Sequence, residues 1–262
     1  MSAAAVKGTV YLVGAGPGDP ELLTLRAARL LETADLVLHD DLVPEAVLRM
    51  IHKQALVTSV GKRCGKPRIT QAEIHALMID GAHRGLSVVR LKSGDPLVFG
   101  RAAEELAALR KAEVAVEVVP GVSAVFAAGA SLQLPLTDRE SASKLILITG
   151  HHAADKATPP PIWKGALPED ATLAIYMPGR DFASLARDLA NAGVSSDMPC
   201  VAVSHAASVE QRADATTLRE LATMTAGPAP VIVLVGRAMA SLVNKDAEAQ
   251  EIVERAVDSL SI

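Results

Sequence analysis

The stretch T9-V-Y-L-V-G-A-G-P-G-D-P20 decides how this chain is read. An apolar, β-branched run ends at a glycine-rich turn, and a helix-like segment begins at Pro20. Glycines let a backbone bend sharply and let a ligand come close to main chain, so ligand chemistry belongs at such a turn. The turn differs from a dinucleotide fingerprint. Gly14, Gly16 and Gly18 alternate, Asp19 stands where the third glycine would be, and Pro17 occupies the middle. A pyrophosphate cradle needs N–H donors and a positive helix end, whereas Pro17 has no N–H and Asp19 repels phosphate. The loop therefore suits a ligand without phosphates. A plain strand-to-helix connection reads the same way locally, so the rest of the chain must decide.

Working outward, the pattern repeats. Leu22, Leu23, Ala27, Leu30 and Leu31 recur with helical period, and Leu36 to Leu38 forms a short strand ending at His39-Asp40-Asp41. Pro44 opens a second helix to about Ile51, and Leu56 to Val60 runs as a strand into the charged loop Gly61 to Pro67. Thr70 and Glu73 make a capping box for a helix to about Arg84. The strand Ser87 to Leu91 gives way to Lys92-Ser93-Gly94-Asp95-Pro96, which echoes the first loop. A helix over Arg101 to Lys111, a strand over Val114 to Val119, the break Pro120-Gly121 and a small-residue helix over Val122 to Ser131 follow. Alternation of this kind predicts a mostly parallel, doubly wound sheet, which binds ligands beyond the carboxyl ends of its strands.

Beyond the link Leu132 to Arg139, strands over Lys144 to Thr149, Thr172 to Met177, Val201 to Ser204 and Val231 to Val235 predict a second, mixed α/β domain. Helices are expected over Asp181 to Ala192 and Thr217 to Met224, the latter with Thr217 and Glu220 as a capping box. The proline- and alanine-rich stretch Ala153 to Pro168 reads as an exposed loop, and the residues beyond Asn244 as a peripheral helix or frayed tail. The expected division is residues 1–121, residues 122–244 and a tail from 245 to 262.

Bulk properties narrow the function classes. Over 262 residues, 26 Lys and Arg stand against 30 Asp and Glu, a balance that argues against a general nucleic-acid or membrane-surface binder. With one Trp, two Tyr and three Phe, the chain also lacks a base-stacking platform. Every apolar run is too short to span a bilayer, and Met1 to Lys7 lacks a signal-peptide core, so the chain reads as cytoplasmic. Cys64 and Cys200 are far apart and read as reduced thiols, and His151 and His152 sit side by side without metal-ligand spacing, so no metal is expected.

Taken together, GAGPGDP (14–20), HDDLV (39–43), VGKRCGKP (60–67), RLKSGDPLVFGRAAEE (90–105), VVPGVSA (118–124), PLTDR (135–139) and ITGH (148–151) resemble the tetrapyrrole methylases in order and spacing. The resemblance runs from about Val10 to Gly236. It implies a two-domain tetrapyrrole-methylase fold, usually a homodimer, with S-adenosylmethionine in the cleft between domains and S-adenosylhomocysteine as product. Within the family, the likeness points to the members that methylate uroporphyrinogen III at C2 and C7, giving precorrin-2 for sirohaem and cobalamin-type cofactors. By that resemblance Pro17, Ser93, Gly94, Asp95, Val98, Ser123, Ala124, Met177 and Ala206 line the cofactor site. Asp40 matches the proton acceptor and Lys62 the proton donor, while Arg101, Glu104 and His151 match tetrapyrrole positions, Arg101 counted with the catalytic group.

The residues support that chemistry in their own right. Methyl transfer from a sulfonium to an electron-rich carbon is a positioning problem, after which a base must take the proton that the ring loses. Substrate acetate and propionate arms call for Arg and Lys, which Lys62, Arg63, Lys66, Arg101 and Arg139 offer. Asp40 reads equally as a turn cap, the lysines as a solvated loop and Met177 as core. Ser93, Leu97, Ala102, Ala103 and Asp138 depart from the family's usual GGDP, Phe, paired Gly and His, which leaves the reaction class in place and bears on the tetrapyrrole chosen. Three other readings stay open: a later corrin-pathway methylase, a dinucleotide-dependent oxidoreductase with Asp40 or Asp41 at the ribose, and a non-catalytic binding protein.

Overall fold

The structure, a computed structural model, describes residues 4–61, 69–150 and 163–243. These gather into two compact units, within Met1–Ala127 and within Ala128–Ile262.

The first unit is built on strands β1 (Thr9–Gly14), β2 (Leu36–His39), β3 (Leu56–Ser59), β4 (Val88–Lys92) and β5 (Ala115–Val119), in the spatial order β3-β2-β4-β1-β5. Every pairing is parallel, with Val10 opposite Val88 and Val116. Strand β1 shows why. Tyr11 and Val13 enter one apolar cluster, with Leu30, Leu31, Val37 and Val47, while Val10 and Leu12 enter another, with Ile74, Met78 and Leu109. A strand buried on both faces reads as a continuous apolar run, and parallel crossovers supply the helices that cover it. Helices α1 (Leu25–Leu31) and α2 (Glu45–Leu48) contribute to the first cluster, and α3 (Gln71–His83) and α4 (Ala102–Lys111) to the second. The doubly wound sheet expected from the alternation is therefore present. The unit closes in α5 (Ala124–Ser131), whose residues straddle the division between the two units.

Local caps set the boundaries. The capping box at Thr70 and Glu73 forms in both directions. The segment after the first turn differs from the single helix expected from Pro20. Asp19 caps a 3-10 turn over Pro20–Leu22 by accepting from Glu21 N at 2.9 Å, Leu23 and Thr24 are extended, and Thr24 caps α1 by accepting from Ala27 N at 3.1 Å. Two capping side chains five residues apart each start a helix of their own, so apolar periodicity runs across a break it does not register.

The second unit holds β6 (Lys144–Thr149), β7 (Ala171–Tyr176), β8 (Pro199–Ser204), β9 (Arg212–Thr217) and β10 (Val231–Val235), in the order β6-β7-β10-β8-β9. Strands β6 and β7 are parallel and the other pairings antiparallel, so the sheet of the expected second α/β domain is a mixed one. Helices α6 (Phe182–Asn191) and α7 (Leu218–Leu221) pack Phe182, Leu185, Leu189, Leu218 and Leu221 against Leu173, Ile175, Ala202 and Val233. The capping box at Thr217 and Glu220 is present. Strand β9 has no counterpart in the sequence reading. Its RADATT sequence lacks apolar alternation, and it forms as an edge strand along β8, with Ala215 opposite Val201. Among the described residues no helix is long and apolar enough to cross a membrane. Most of the stretch Ala153 to Pro168 and the tail beyond Asn244 lie outside the described residues.

Candidate active site

The carboxyl ends of β1, β4 and β5 are adjacent in the sheet, and three glycines bring their loops into main-chain contact. A Cβ on Gly14 would lie 2.6 Å from Gly121 Cα and from Gly94 O, and one on Gly121 would lie 2.3 Å from Gly94 O. Only glycine fits at 14 and 121, for want of room rather than for backbone freedom. Gly94 is the reverse case, with φ at 66° and nothing within 4 Å of a Cβ. The crowding that the loop pattern suggests at Gly94 thus falls on Gly14 and Gly121. Gly94 is required by its left-handed backbone and faces open space. Its neighbour Ser93 has no positive φ and is accommodated in place of glycine.

Several amides of these loops are engaged with one another. Gly16 N donates to Gly94 O at 3.2 Å and Gly94 N to Gly16 O at 2.7 Å, while Ala15 N donates to Lys92 O at 2.7 Å. The Asp95 carboxylate accepts from Leu97 N at 2.8 Å and from Gly121 N at 3.0 Å, tying the β4 loop to the β5 loop. Donors engaged in this way are not offered to a phosphate, and a nucleoside with a sulfonium and no phosphate asks for none. Pro17, Val98 and Ala124 are half-buried in these loops and Ser123 is buried. Seven expected cofactor residues, from Pro17 to Ala124, therefore share one end of the first sheet.

Next to them lies a buried quartet of charges. Arg90 and Lys92 stand two residues apart on β4 and so point to the same face of the sheet. The wholly buried Glu105 of α4 lies between them, 3.0 Å from Arg90 Nε and 3.1 and 3.0 Å from Lys92 Nζ through its two oxygens, with hydrogen-bond geometry from Lys92 to Oε1 alone. Arg90 Nη2 donates to Asp40 Oδ1 at 2.5 Å, at the end of β2. Burial, with Arg90 alongside, pushes the Lys92 ammonium below its ordinary range, and Glu105 opposes that shift. Two cations against two carboxylates leave the cluster neutral, as burial of charge requires. The Asp40 side chain is 32% exposed, so one end of the quartet is open to a ligand.

Arg101 and Glu104 open α4. Arg101 is left-handed, with φ at 58°, and its guanidinium donates to both Glu104 oxygens at 2.8 and 2.7 Å. The hydrogen bond to Glu104 raises the Arg101 pKa and lowers that of Glu104. Both side chains are about half exposed, and exposed pairs of this kind are worth about 0–1 kcal/mol, so an incoming carboxylate could replace Glu104 on the fork at little cost. Lys62 and His151 lie outside the described residues.

In the second unit, β6, β7 and β8 end on the same edge of their sheet, because β10 runs antiparallel to both of its neighbours. Met177 follows β7 with φ at 48° and is 46% exposed, a surface position rather than a core one. Gly150 packs beneath it, since a Cβ there would lie 2.9 Å from Met177 O. Ala206 is buried between His205 and Ala207, both at positive φ. Left-handed non-glycine residues cluster at functional loops, and these loops carry three. Asp138 is absorbed by its own turn, where it accepts from Glu140 N, Ser141 N and the Ser141 hydroxyl, which holds its pKa down. Among the described residues no group of three or more His, Cys, Asp or Glu side chains could hold a metal ion.

Sequence reasoning passed over Arg90, Glu105, Gly14 and Gly121 as site residues. The signal for the first two was present: two cations at i and i+2 inside a fully buried strand demand a carboxylate between them. For the glycines there was none, since crowding between loops is set by the sheet order.

Comparison with known proteins adds the following. A family model described as Tetrapyrrole (Corrin/Porphyrin) Methylases matches residues 9–222. A uroporphyrinogen-III C-methyltransferase of Paracoccus denitrificans is 42% identical over 236 residues, covering 89% of this chain and 82% of that protein. A sirohaem synthase of Klebsiella pneumoniae is 40% identical over 87% of this chain, which spans only 48% of that longer protein. A uroporphyrin-III C-methyltransferase of Thermus thermophilus, solved with S-adenosylhomocysteine, superposes with a TM-score of 0.76 at 36% identity, covering 89% of this chain and 99% of that one.

Proposed function

This chain belongs to the tetrapyrrole (corrin/porphyrin) methylases, and we propose that it is an S-adenosylmethionine-dependent C-methyltransferase that converts uroporphyrinogen III to precorrin-2 by methylation at C2 and C7. The observation that carries the reading is Asp40, a partly exposed carboxylate held by a buried arginine beside loops whose Gly16 and Gly94 amides are engaged with each other and whose Gly94 faces open space. S-adenosylmethionine, when bound, supplies an electrophilic methyl group and leaves as S-adenosylhomocysteine.

The chain's own residues have three tasks. The loops at Pro17, Ser93 to Asp95, Val98, Ser123 and Ala124 hold the methyl donor, and the assignment of Met177 and Ala206 to the same ligand rests on the family resemblance. Arg101 takes a substrate acetate or propionate on its fork, which fixes the ring against the methyl group. Asp40 accepts the proton released after carbon attack, with Lys62 as the proton donor and Glu104 and His151 at the tetrapyrrole. A homodimer belongs to the same proposal and rests on the resemblance; equilibrium sedimentation tests it.

Two measurements test the reading. Titration calorimetry should give saturable binding of S-adenosylmethionine and S-adenosylhomocysteine and none of NAD, and the opposite pattern would replace a methylase by an oxidoreductase. Asp40→Asn removes a base at nearly constant shape, so single-turnover methylation should fall about a hundredfold or more with cofactor affinity intact. A lowered melting temperature with normal turnover per folded molecule would reduce Asp40 to a turn residue. The motif departures at Ser93, Ala102, Ala103 and Asp138 favour as runner-up a later corrin-pathway methylase, which would leave uroporphyrinogen III unmethylated.

A further inference from the structure

We propose that Arg90 is the positioning residue of the reaction: it holds the Asp40 carboxylate in a single orientation, presenting Oδ2 to the substrate. The inference rests on the reading of Asp40 as the base.

The guanidinium is fixed on every side. It is 3% exposed, at the centre of the sheet, and its Nε donates to Glu105 at 3.0 Å. Nη1 donates to Leu91 O at 3.3 Å and Leu38 O at 3.4 Å, and Nη2 to Asp40 Oδ1 at 2.5 Å. One side chain thus bridges β2, β4 and α4, and Leu38 lies only two residues before Asp40 on the chain. Glu105 is in turn fixed by Lys92 and by Gln71 Nε2 at 3.3 Å. A planar fork anchored at three other acceptors can hold a carboxylate at one angle, which a flexible ammonium cannot do.

The carboxylate is held by one oxygen only. Oδ1 takes the guanidinium, and Oδ2 has no hydrogen-bond partner among the described residues. The backbone of Asp40 is pinned too, since its N–H donates to Leu91 O at 3.2 Å and its carbonyl lies 3.0 Å from His39 Nδ1. Proton transfer is sensitive to small misplacements of the base, so an orienting partner that does not itself touch substrate can govern the rate. Apolar packing would be no less stable than a buried ion network, and this one ends on the single member of the quartet that is open to a ligand.

A double-mutant cycle separates positioning from mere structure. Single-turnover methylation, the tetrapyrrole KM, S-adenosylmethionine affinity and thermal melts are measured for the whole chain, Arg90→Lys, Asp40→Asn and the pair. Arg90→Lys should slow turnover about tenfold with KM and cofactor affinity unchanged, and the double variant should be no slower than Asp40→Asn alone. Multiplying losses would show that Arg90 acts elsewhere and overturn the inference. A slow Asp40→Asn beside a full-speed Arg90→Lys overturns the inference alone, while a full-speed Asp40→Asn overturns the base assignment and the inference with it. If Arg90→Lys does not fold, the cycle is run with Arg90→Gln, whose amide can still donate to Asp40; if neither folds, Arg90 is structural and the inference falls.

Discussion

Replacing Glu105 by alanine removes the carboxylate on which the buried quartet turns, and the structure sets the size of the loss. Arg90 keeps Asp40 and two main-chain carbonyls, whereas Lys92 loses its only hydrogen-bonded partner among the described residues, in a site where its side chain is 4% exposed. Breaking a buried pair in this way costs about 3–5 kcal/mol. The alternative for Lys92 is to give up its proton, which costs about 1.4 kcal/mol for each pH unit below an unfolded value of about 10.4, hence about 4–5 kcal/mol at neutral pH. The two routes agree. Total stability is typically about 5–15 kcal/mol, so the variant should unfold about 8–15 °C earlier.

The sign with pH is also fixed. Burial already depresses the Lys92 pKa in the folded chain, and loss of Glu105 removes a group that raises it. The unfolded chain then holds a proton that the folded variant lacks, so the variant gains stability as pH rises toward the unfolded pKa. Urea unfolding of the wild type and Glu105→Ala at about pH 7, 8 and 9 should show the gap narrowing as pH rises, by at most about 1.4 kcal/mol per unit. Glu105→Gln should cost less, because its amide oxygen still accepts. A gap below about 1 kcal/mol, or one that does not move with pH, would refute the quartet as drawn.

Other consequences are equally specific. Gly121→Ala forces a Cβ to within 2.3 Å of Gly94 O and should abolish S-adenosylmethionine binding in calorimetry, whereas Gly94→Ala meets open space and should cost only about 1–2 kcal/mol of backbone strain in urea melts. Asp35 accepts from the Ser87 hydroxyl at 2.6 Å and Ser87 N at 2.8 Å, which with Lys7 alongside holds its pKa at about 2. That stability is complete above about pH 4 and lost as pH falls toward 2, so Asp35→Asn should cost about 1–2 kcal/mol at neutral pH and converge with wild type in acid unfolding. Arg101→Lys keeps the charge and loses the fork, so the tetrapyrrole KM should rise several-fold while the melting temperature stays within about 2 °C, since the exposed pair with Glu104 is worth under about 1 kcal/mol.

Most of the architecture was legible because it follows from local rules. Short runs rich in apolar β-branched residues marked β1 and β4 as strands, and the capping boxes at Thr70 and Thr217 marked two helix starts. Strand β9 was not legible, because an edge strand of alternating small and polar residues takes its conformation from the neighbour it pairs with. The same division holds at the site. The loops of Pro17 and Gly94 announced themselves by composition, and Asp40 by its match to the family's proton acceptor. That Gly14 and Gly121 touch depends on β5 lying beside β1, and that Arg90 reaches Asp40 depends on β4 lying beside β2, an order that no local pattern specifies.

The central claim is the reaction itself. Incubating the chain anaerobically with uroporphyrinogen III and S-adenosylmethionine, and counting the methyl groups added by mass spectrometry, tests it most directly. The account predicts a product heavier by two methyl groups, formed with two equivalents of S-adenosylhomocysteine and lost in Asp40→Asn. Recovery of unmethylated uroporphyrinogen III from folded, cofactor-binding protein would contradict it.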